Sequence, residues 1–181
     1  MTLKTECWTQ TYSGTKFYPM NIYGSKINIY DIAHALSNVC RFAGHCSQFY
    51  SVAQHSVIVS KVVSKENARW GLLHDAAEAY IGDIARPIKH IKGMTGYRKL
   101  EREILKVVAD RFGLEPKIPN EVKEYDDLVL RNEAKVLGML QDDWFCYNLR
   151  DLGFLFVPLS HQDAEENFVN RYIELFECKK R

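Results

Sequence analysis

A chain of 181 residues with 46% hydrophobic and 26% charged residues can bury one proper core, which excludes a disordered tail. Its 24 basic and 23 acidic side chains leave a formal charge of +1, which excludes a global pull toward nucleic acid or an anionic membrane. No run approaches the roughly 18 apolar residues of a membrane span. Lys4 and Glu6 interrupt the start where a signal peptide needs an apolar stretch, so a cytoplasmic protein is expected.

The first thirty residues are rich in Tyr, Thr, Gly and Ser, with Gly14, Pro19 and Gly24 as breakers, and predict a hairpin or irregular strands. Asp31 is expected to cap a short helix to about Cys40, with Ile32, Leu36 and Val39 on one face. Arg41 to His45 break that pattern. Val52, Ala53, Val59, Val62 and Val63 mark a second helix from about Tyr50 to Ser64, carrying His55. A third is predicted from about Lys65 to Tyr80, where Ala68, Leu72, Leu73, Ala76, Ala77 and Tyr80 form one wide stripe. Gly82 ends it, and Pro87 prevents an immediate restart.

Thr95 to Phe112 repeats the helical spacing through Leu100, Ile104, Leu105 and Val108, and Gly113 stops it. Asn120 is expected to cap a helix to about Leu140, with Val122, Tyr125, Val129, Val136 and Leu137 facing inward. Trp144 to Pro158 is aromatic and irregular, and its Trp144, Phe145 and Tyr147 furnish either a subunit interface or part of the core. Ser160 to Lys179 reads as a closing helix with Ala164, Phe168, Tyr172 and Phe176 at four-residue steps. The expectation is an all-α, compact bundle of five to six helices with a short irregular or hairpin N-terminal segment, in one domain spanning 1–181.

Five cysteines, Cys7, Cys40, Cys46, Cys146 and Cys178, are odd in number and contain no Cys-x-x-Cys pair. They argue against a disulfide framework and against a thiolate zinc site, and read as reduced, small buried hydrophobes.

The chemistry concentrates at Leu72-Leu73-His74-Asp75-Ala76-Ala77-Glu78. An unpaired carboxylate in the middle of an apolar helix is costly, and a divalent cation removes that cost because imidazole nitrogen and carboxylate oxygen both coordinate Zn, Co, Mn or Fe. The alternative is a hydrogen-bonded His–Asp contact at a helix surface. His55 on the preceding helix and Asp126 on a later one complete an order of His, His-Asp and Asp on three separate helices. Asp127 competes with Asp126 for the last place. Glu78 lies one helical turn after His74, so its carboxylate can reach the same centre and transfer a proton.

This order resembles the metal-ligand pattern of the HD-domain phosphohydrolases. Flanking words extend the likeness: Cys40-Arg41-Phe42, Val52-Ala53-Gln54-His55-Ser56, Leu73-His74-Asp75-Ala76-Ala77-Glu78-Ala79-Tyr80-Ile81-Gly82-Asp83-Ile84, and Arg86-Pro87-Ile88-Lys89. The stretch from about Asp31 to Glu133 is similar to bacterial 5'-deoxynucleotidases and, more closely, to phage dATP triphosphohydrolases of that superfamily, which sets an HD-domain motif core at about 31–140. Trp8 to Gly14 also resembles the opening of the phage-type members.

The resemblance implies that His55, His74, Asp75 and Asp126 are the ligands of a divalent metal ion (Zn, Co, Mn or Mg). Asp126 is preferred over Asp127 because Glu133 follows it by seven residues, as in the family. It implies further that Asp83 positions the attacking water and that Arg41 and Lys89 grip phosphate, with Arg86 a third candidate. Phe42 stands where many relatives carry tryptophan and keeps a surface on which a base can stack. His45 either lines that pocket or lies outside it. His34, His90 and His161 read as surface or capping residues.

The function implied is hydrolysis of deoxynucleotides by a metal-activated water, with dATP giving deoxyadenosine and polyphosphate as the best single substrate. The alternatives are a 5'-deoxynucleotidase acting on monophosphates and a nonenzymatic nucleotide-binding regulator, the latter expected where ligands are missing, and none is missing here. A deoxynucleotide substrate, no nucleic-acid polymer, no membrane and a homo-oligomer of this chain are the expected partners, in the host cytoplasm if phage-encoded.

Overall fold

Amphipathic helices with no broad sheet to pack on must bury their apolar stripes against one another. The computed structural model, which describes residues 7–177, is built in that way. Met1 to Glu6, including Lys4 and Glu6, and the terminal Cys178 and Lys179 lie outside the described residues. Among the described residues no helix is long and apolar enough to cross a membrane.

The N-terminal hairpin expected from the breakers is present as two short antiparallel strands, β1 (Thr9–Gln10) and β2 (Lys16–Phe17). It is followed by α1 (Ile29–Asn38), and the cap of that helix is Asn28, whose side chain accepts from the Tyr30 N–H, not Asp31. Asp31 has a different task. Its buried carboxylate accepts from Thr11 Oγ1 (2.9 Å), the Ser13 N–H (2.6 Å) and Ser13 Oγ (2.9 Å), which fastens the hairpin turn to α1.

Helix α2 (Val52–Val62) starts at Ser51, whose hydroxyl accepts from the Gln54 N–H in an N-cap. The helix expected over 65–80 is interrupted. It forms α3 (Ala68–Leu73), a tightened turn through His74 to Ala77, and then α4 (Glu78–Ile81). In that turn Ala76 N–H bonds to Leu73 O and Glu78 N–H to Asp75 O, each three residues back rather than four. Gly82 ends α4 with φ of 78°, a left-handed position suited to glycine. Pro87 does not delay the next helix but opens it, within the first turn of α5 (Arg86–Lys89), where its missing N–H has no helical partner to lose.

Helix α6 (Thr95–Phe112) has the expected bounds and stops at left-handed Gly113. Helix α7 (Asn120–Val136) begins at Asn120 with no side-chain cap and ends before Leu140. After the irregular stretch through Pro158, α8 (His161–Tyr172) is capped by Ser160 and continues as a wider turn over Ile173–Glu177. The helical pieces outnumber the five or six expected because the third helix is split and α5 is a separate turn.

Two apolar clusters result. The larger joins Ile32, Leu36, Val52, Leu73, Ile104 and Phe168, with α8 laid across α1 and α2. The smaller joins Val59, Trp70, Val122 and Val129 between α2, α3 and α7. In the aromatic stretch Cys146 is buried while Phe145 and Tyr147 are exposed, so neither of those rings completes the core.

The approach of α3 to α2 depends on Gly71. A Cβ placed there would lie 2.8 Å from Ser60 Cα, a backbone atom that cannot swing aside. Gly71→Ala is therefore expected to push the two helices apart and to lower stability by about 1–3 kcal/mol. Urea unfolding of the variant beside the wild type checks this as a lower midpoint at unchanged slope.

Candidate metal centre

Three separate elements deliver the cluster. His55 sits on the second turn of α2 and is fully buried, His74 and Asp75 occupy the tightened turn after α3, and Asp126 projects from α7. His55, His74 and Asp75 each offer a ligand atom, all within 4.8 Å of one another, and could hold a metal ion. Asp126 Oδ1 adds to them, 3.1 Å from His55 Nε2 and 4.0 Å from His74 Nε2.

The donor chemistry fits a cation. His74 Nδ1 lies 2.9 Å from Gly71 O, a carbonyl that only accepts, so Nδ1 carries the proton. His55 Nδ1 lies 2.7 Å from Glu133 Oε1 and donates in the same way. With both Nδ1 atoms committed as donors, the rings turn their Nε2 atoms toward each other across 3.3 Å. Asp75 Oδ2 faces both, at 3.6 Å from His55 Nε2 and 3.3 Å from His74 Nε2. Nothing neutral satisfies such a convergence of electron-rich atoms; a proton or a metal ion does.

The ionisation of the cluster carries the same message. Burial drives imidazoles toward neutrality, but Asp75 and Asp126 outweigh it and hold His74 up at about 9. For His55, burial and Arg41 pull down while Glu133 and Asp126 raise it, with a net upward result. Burial alone would raise Asp75, yet His74, His55 and Arg41 keep it well below the usual carboxylate range. Asp126 is held at about 2 against its burial by His55 and His74.

A second layer fixes these ligands. Glu133, fully buried on α7 and seven residues beyond Asp126, accepts from His55 Nδ1 and from Tyr50 Oη (2.5 Å) through the same oxygen. Its other oxygen lies 3.1 Å from Arg41 Nη2. A carboxylate on the far nitrogen of a metal-binding histidine fixes the ring and raises its basicity. Sequence reasoning used Glu133 only as a spacing marker; its two-turn offset from Asp126 on one helix face was the available signal. Arg86 holds Asp126 Oδ2 at 3.3 Å and also pairs with Asp127, which turns Asp127 away from the imidazoles.

A cavity of about 480 Å³ opens beside the cluster, within the range of small-molecule sites, and Asp75 and Asp126 reach its wall. The other expected residues border it. Glu78 is buried, accepts from Lys89 Nζ at Oε1 (2.7 Å), and its Oε2 has no partner among the described residues. Burial, with Asp75 and Asp83 adding repulsion, pushes Glu78 well above the carboxylate range. Asp83 is raised too, by burial first. Lys89 is shared between Glu78 and Glu101 (3.0 Å). Arg41 is buried between Glu133 and Asp75 (3.8 Å), so both carboxylates compete for the guanidinium assigned to phosphate.

Phe42 lies nearly parallel to Trp144, with ring centroids 6.4 Å apart and planes 13° apart. Trp144 was read only as interface or core, and no spacing ties it to Phe42. His45 and His90 both line the cavity, and His90 is also exposed and caps the C-terminus of α5, as expected of a surface or capping residue. His34 instead stacks on Tyr12 and pairs with Glu165, and His161 opens α8 in solvent.

No family model matches the chain. It is 41% identical over 175 residues to the uncharacterized protein YfdR of Escherichia coli (strain K12), covering 94% of this chain and 97% of that protein. It is 35% identical over 144 residues to the uncharacterized protein RCAP_rcc00048 of Rhodobacter capsulatus, covering 72% of this chain and 73% of that one.

Zinc or cobalt added to chelator-treated protein is expected to raise its melting temperature, since a ligand that binds only the folded state stabilises it. Glu133→Gln should bind the metal about 10–100-fold more weakly by titration calorimetry. Unchanged affinity would remove Glu133 from that supporting role.

Proposed function

The chain belongs to the same family as YfdR and RCAP_rcc00048, and we propose that it is a metal-dependent phosphohydrolase of the HD-domain kind, acting on deoxynucleotides. The observation that carries this reading is the pair of facing Nε2 atoms of His55 and His74 between Asp75 and Asp126, at the wall of a cavity bordered by cationic and aromatic side chains. His55, His74, Asp75 and Asp126 would hold the cation. A divalent ion bound there supplies Lewis acidity and a water acidic enough to serve as nucleophile near neutral pH.

The chain's own residues do the rest. Glu78, kept protonated by burial and neighbouring carboxylates, gives its proton to the leaving oxygen, while Lys89 fixes its orientation. Asp83, at the same cavity, orients and accepts a proton from the attacking water. Arg41, Arg86 and Lys89 set positive charge beside the phosphate. Phe42 offers its face to the base. A triphosphate substrate, with dATP first, leaves deoxyadenosine and polyphosphate; a 5'-deoxynucleotidase acting on monophosphates is the second reading. Exposed Phe145, Leu155 and Val157 support assembly of several copies of this chain.

The test is product analysis. Chelator-stripped protein receives Co, Mn, Mg or Zn singly and is incubated with each deoxynucleoside mono-, di- and triphosphate, beside Asp75→Ala. Metal-dependent release of deoxyadenosine and intact triphosphate from dATP, lost in the variant, is expected. Cleavage of monophosphates alone would select the second reading, and binding with no cleavage under any metal would leave a regulator. Glu78→Gln is expected to lower kcat by about 10²–10⁴-fold while still binding metal. A variant with full kcat would exclude Glu78 as the proton donor.

A further inference from the structure

Two thiols that the sequence leaves unpaired meet in space. Cys40 Sγ and Cys46 Sγ are 3.6 Å apart, in van der Waals contact, although five residues separate them in the chain. Cys40 is anchored, for it sits in an antiparallel bridge to Ser51, with Arg41 N–H bonded to Tyr50 O and Val52 N–H to Val39 O on either side. Cys46 belongs to the loop that returns from it. Both sulfurs are half-buried, and exposed residues flank them at Ala43 to His45 and Ser47 to Phe49, so a small oxidant can reach the pair.

The intervening loop is held in an uncommon shape. Phe42 and Ala43 both have positive φ, 56° and 51°, in the left-handed region that non-glycine residues rarely occupy. Arg41, Phe42 and His45 of the same loop line the large cavity. The sulfur contact therefore sits at the base of the segment that forms one wall of the pocket.

We propose that Cys40 and Cys46 form a reversible disulfide under peroxide and act as a redox latch on this loop. One thiolate sulfur attacks an oxygen of hydrogen peroxide; the O–O bond breaks, and a sulfenic acid and water form. The second thiolate attacks that sulfur, the S–O bond breaks, and a second water leaves. Two thiols are oxidised to one disulfide and the peroxide is reduced to two waters, which carry off the thiol protons. Closing from 3.6 Å to a bond of about 2 Å is an approach of the two sulfurs by under 2 Å. Cys7 and Cys146 have no such neighbour among the described residues, since Cys7 is exposed and Cys146 is buried in the core.

The experiment uses the full chain and needs no substrate. Folded protein is incubated with hydrogen peroxide near the ordinary thiol pKa of about 8.5, alkylated and digested with trypsin. Cleavage after Lys26, Arg41 and Lys61 places the two cysteines on separate peptides, 27–41 and 42–61. The expected result is a cross-linked pair of these peptides, loss of two of the five titratable thiols, and full recovery on reduction with dithiothreitol. Amide exchange over 42–46 should slow in the oxidised form. Cys46→Ser and Cys40→Ser should each lose the cross-link. Peptides that remain separately alkylated, a cross-link to another cysteine, or oxidation of either sulfur past the sulfenic stage without bridging would each overturn the proposal. All of these outcomes are read whether or not the protein cleaves nucleotides.

Discussion

Two imidazole nitrogens facing each other across 3.3 Å, with two carboxylates beside them, form the constraint on which the rest of the molecule depends. Such a group has no neutral resting state in a dry interior, because each member worsens the solvation of the next. A proton on His74, held up at about 9 by Asp75 and Asp126, supplies positive charge near neutral pH, and a bound cation would take its place. That explains why the supporting contacts are charged and buried. Glu133 and Tyr50 lock His55 from behind, Gly71 O locks His74, and Arg86 takes the outer oxygen of Asp126. His55, His74 and Asp126 each spend a second polar atom on the scaffold and turn the other to the centre.

Helix geometry makes this arrangement attainable. His55 and His74 come from helices whose backbones nearly touch, and a side chain larger than hydrogen at Gly71 would separate them. Asp126 and Glu133 lie two turns apart on α7, so one helix supplies both a ligand and the group behind another ligand. The tightened turn at His74 to Ala77 has a comparable use. Shifting from bonds four residues back to bonds three residues back rotates His74 and Asp75 relative to a continuous helix. Both neighbours can then face one point, which adjacent residues on a regular helix do not.

What was legible in the sequence was the periodic and the local. Helical spacing located α2, α6 and α7, and the expense of burying His74 with Asp75 marked the centre. Local capping was misassigned at Asn120, which follows Pro119 as the first helical residue, and at Asp31, whose carboxylate is used across about twenty residues to hold the hairpin, a contact no local pattern encodes. The break in the third helix was hidden because its apolar stripe runs through both halves unchanged. Glu133, Arg86 and Trp144 acquire their places only through tertiary approach. The contact between Cys40 and Cys46 is of the same kind: counting cysteines could exclude a framework of disulfides but not one pair brought together by a returning loop.

Charge around the cavity orders the events that can occur in it. Every cation assigned to phosphate is already engaged: Arg41 by Glu133 and Asp75, Arg86 by Asp126 and Asp127, Lys89 by Glu78 and Glu101. These contacts compete with a phosphate for each of the three cations. A divalent ion between the imidazoles and Asp75 and Asp126 reverses this twice over. It supplies positive charge itself, and it takes the demand of Asp75 off Arg41 and that of Asp126 off Arg86, leaving both guanidiniums freer to turn toward an incoming phosphate. Lys89 stays committed to Glu78, the group whose proton must be aimed. On the proposed function, a cation would therefore bind before the nucleotide, and phosphate recognition would follow from metal binding rather than from the basic residues alone.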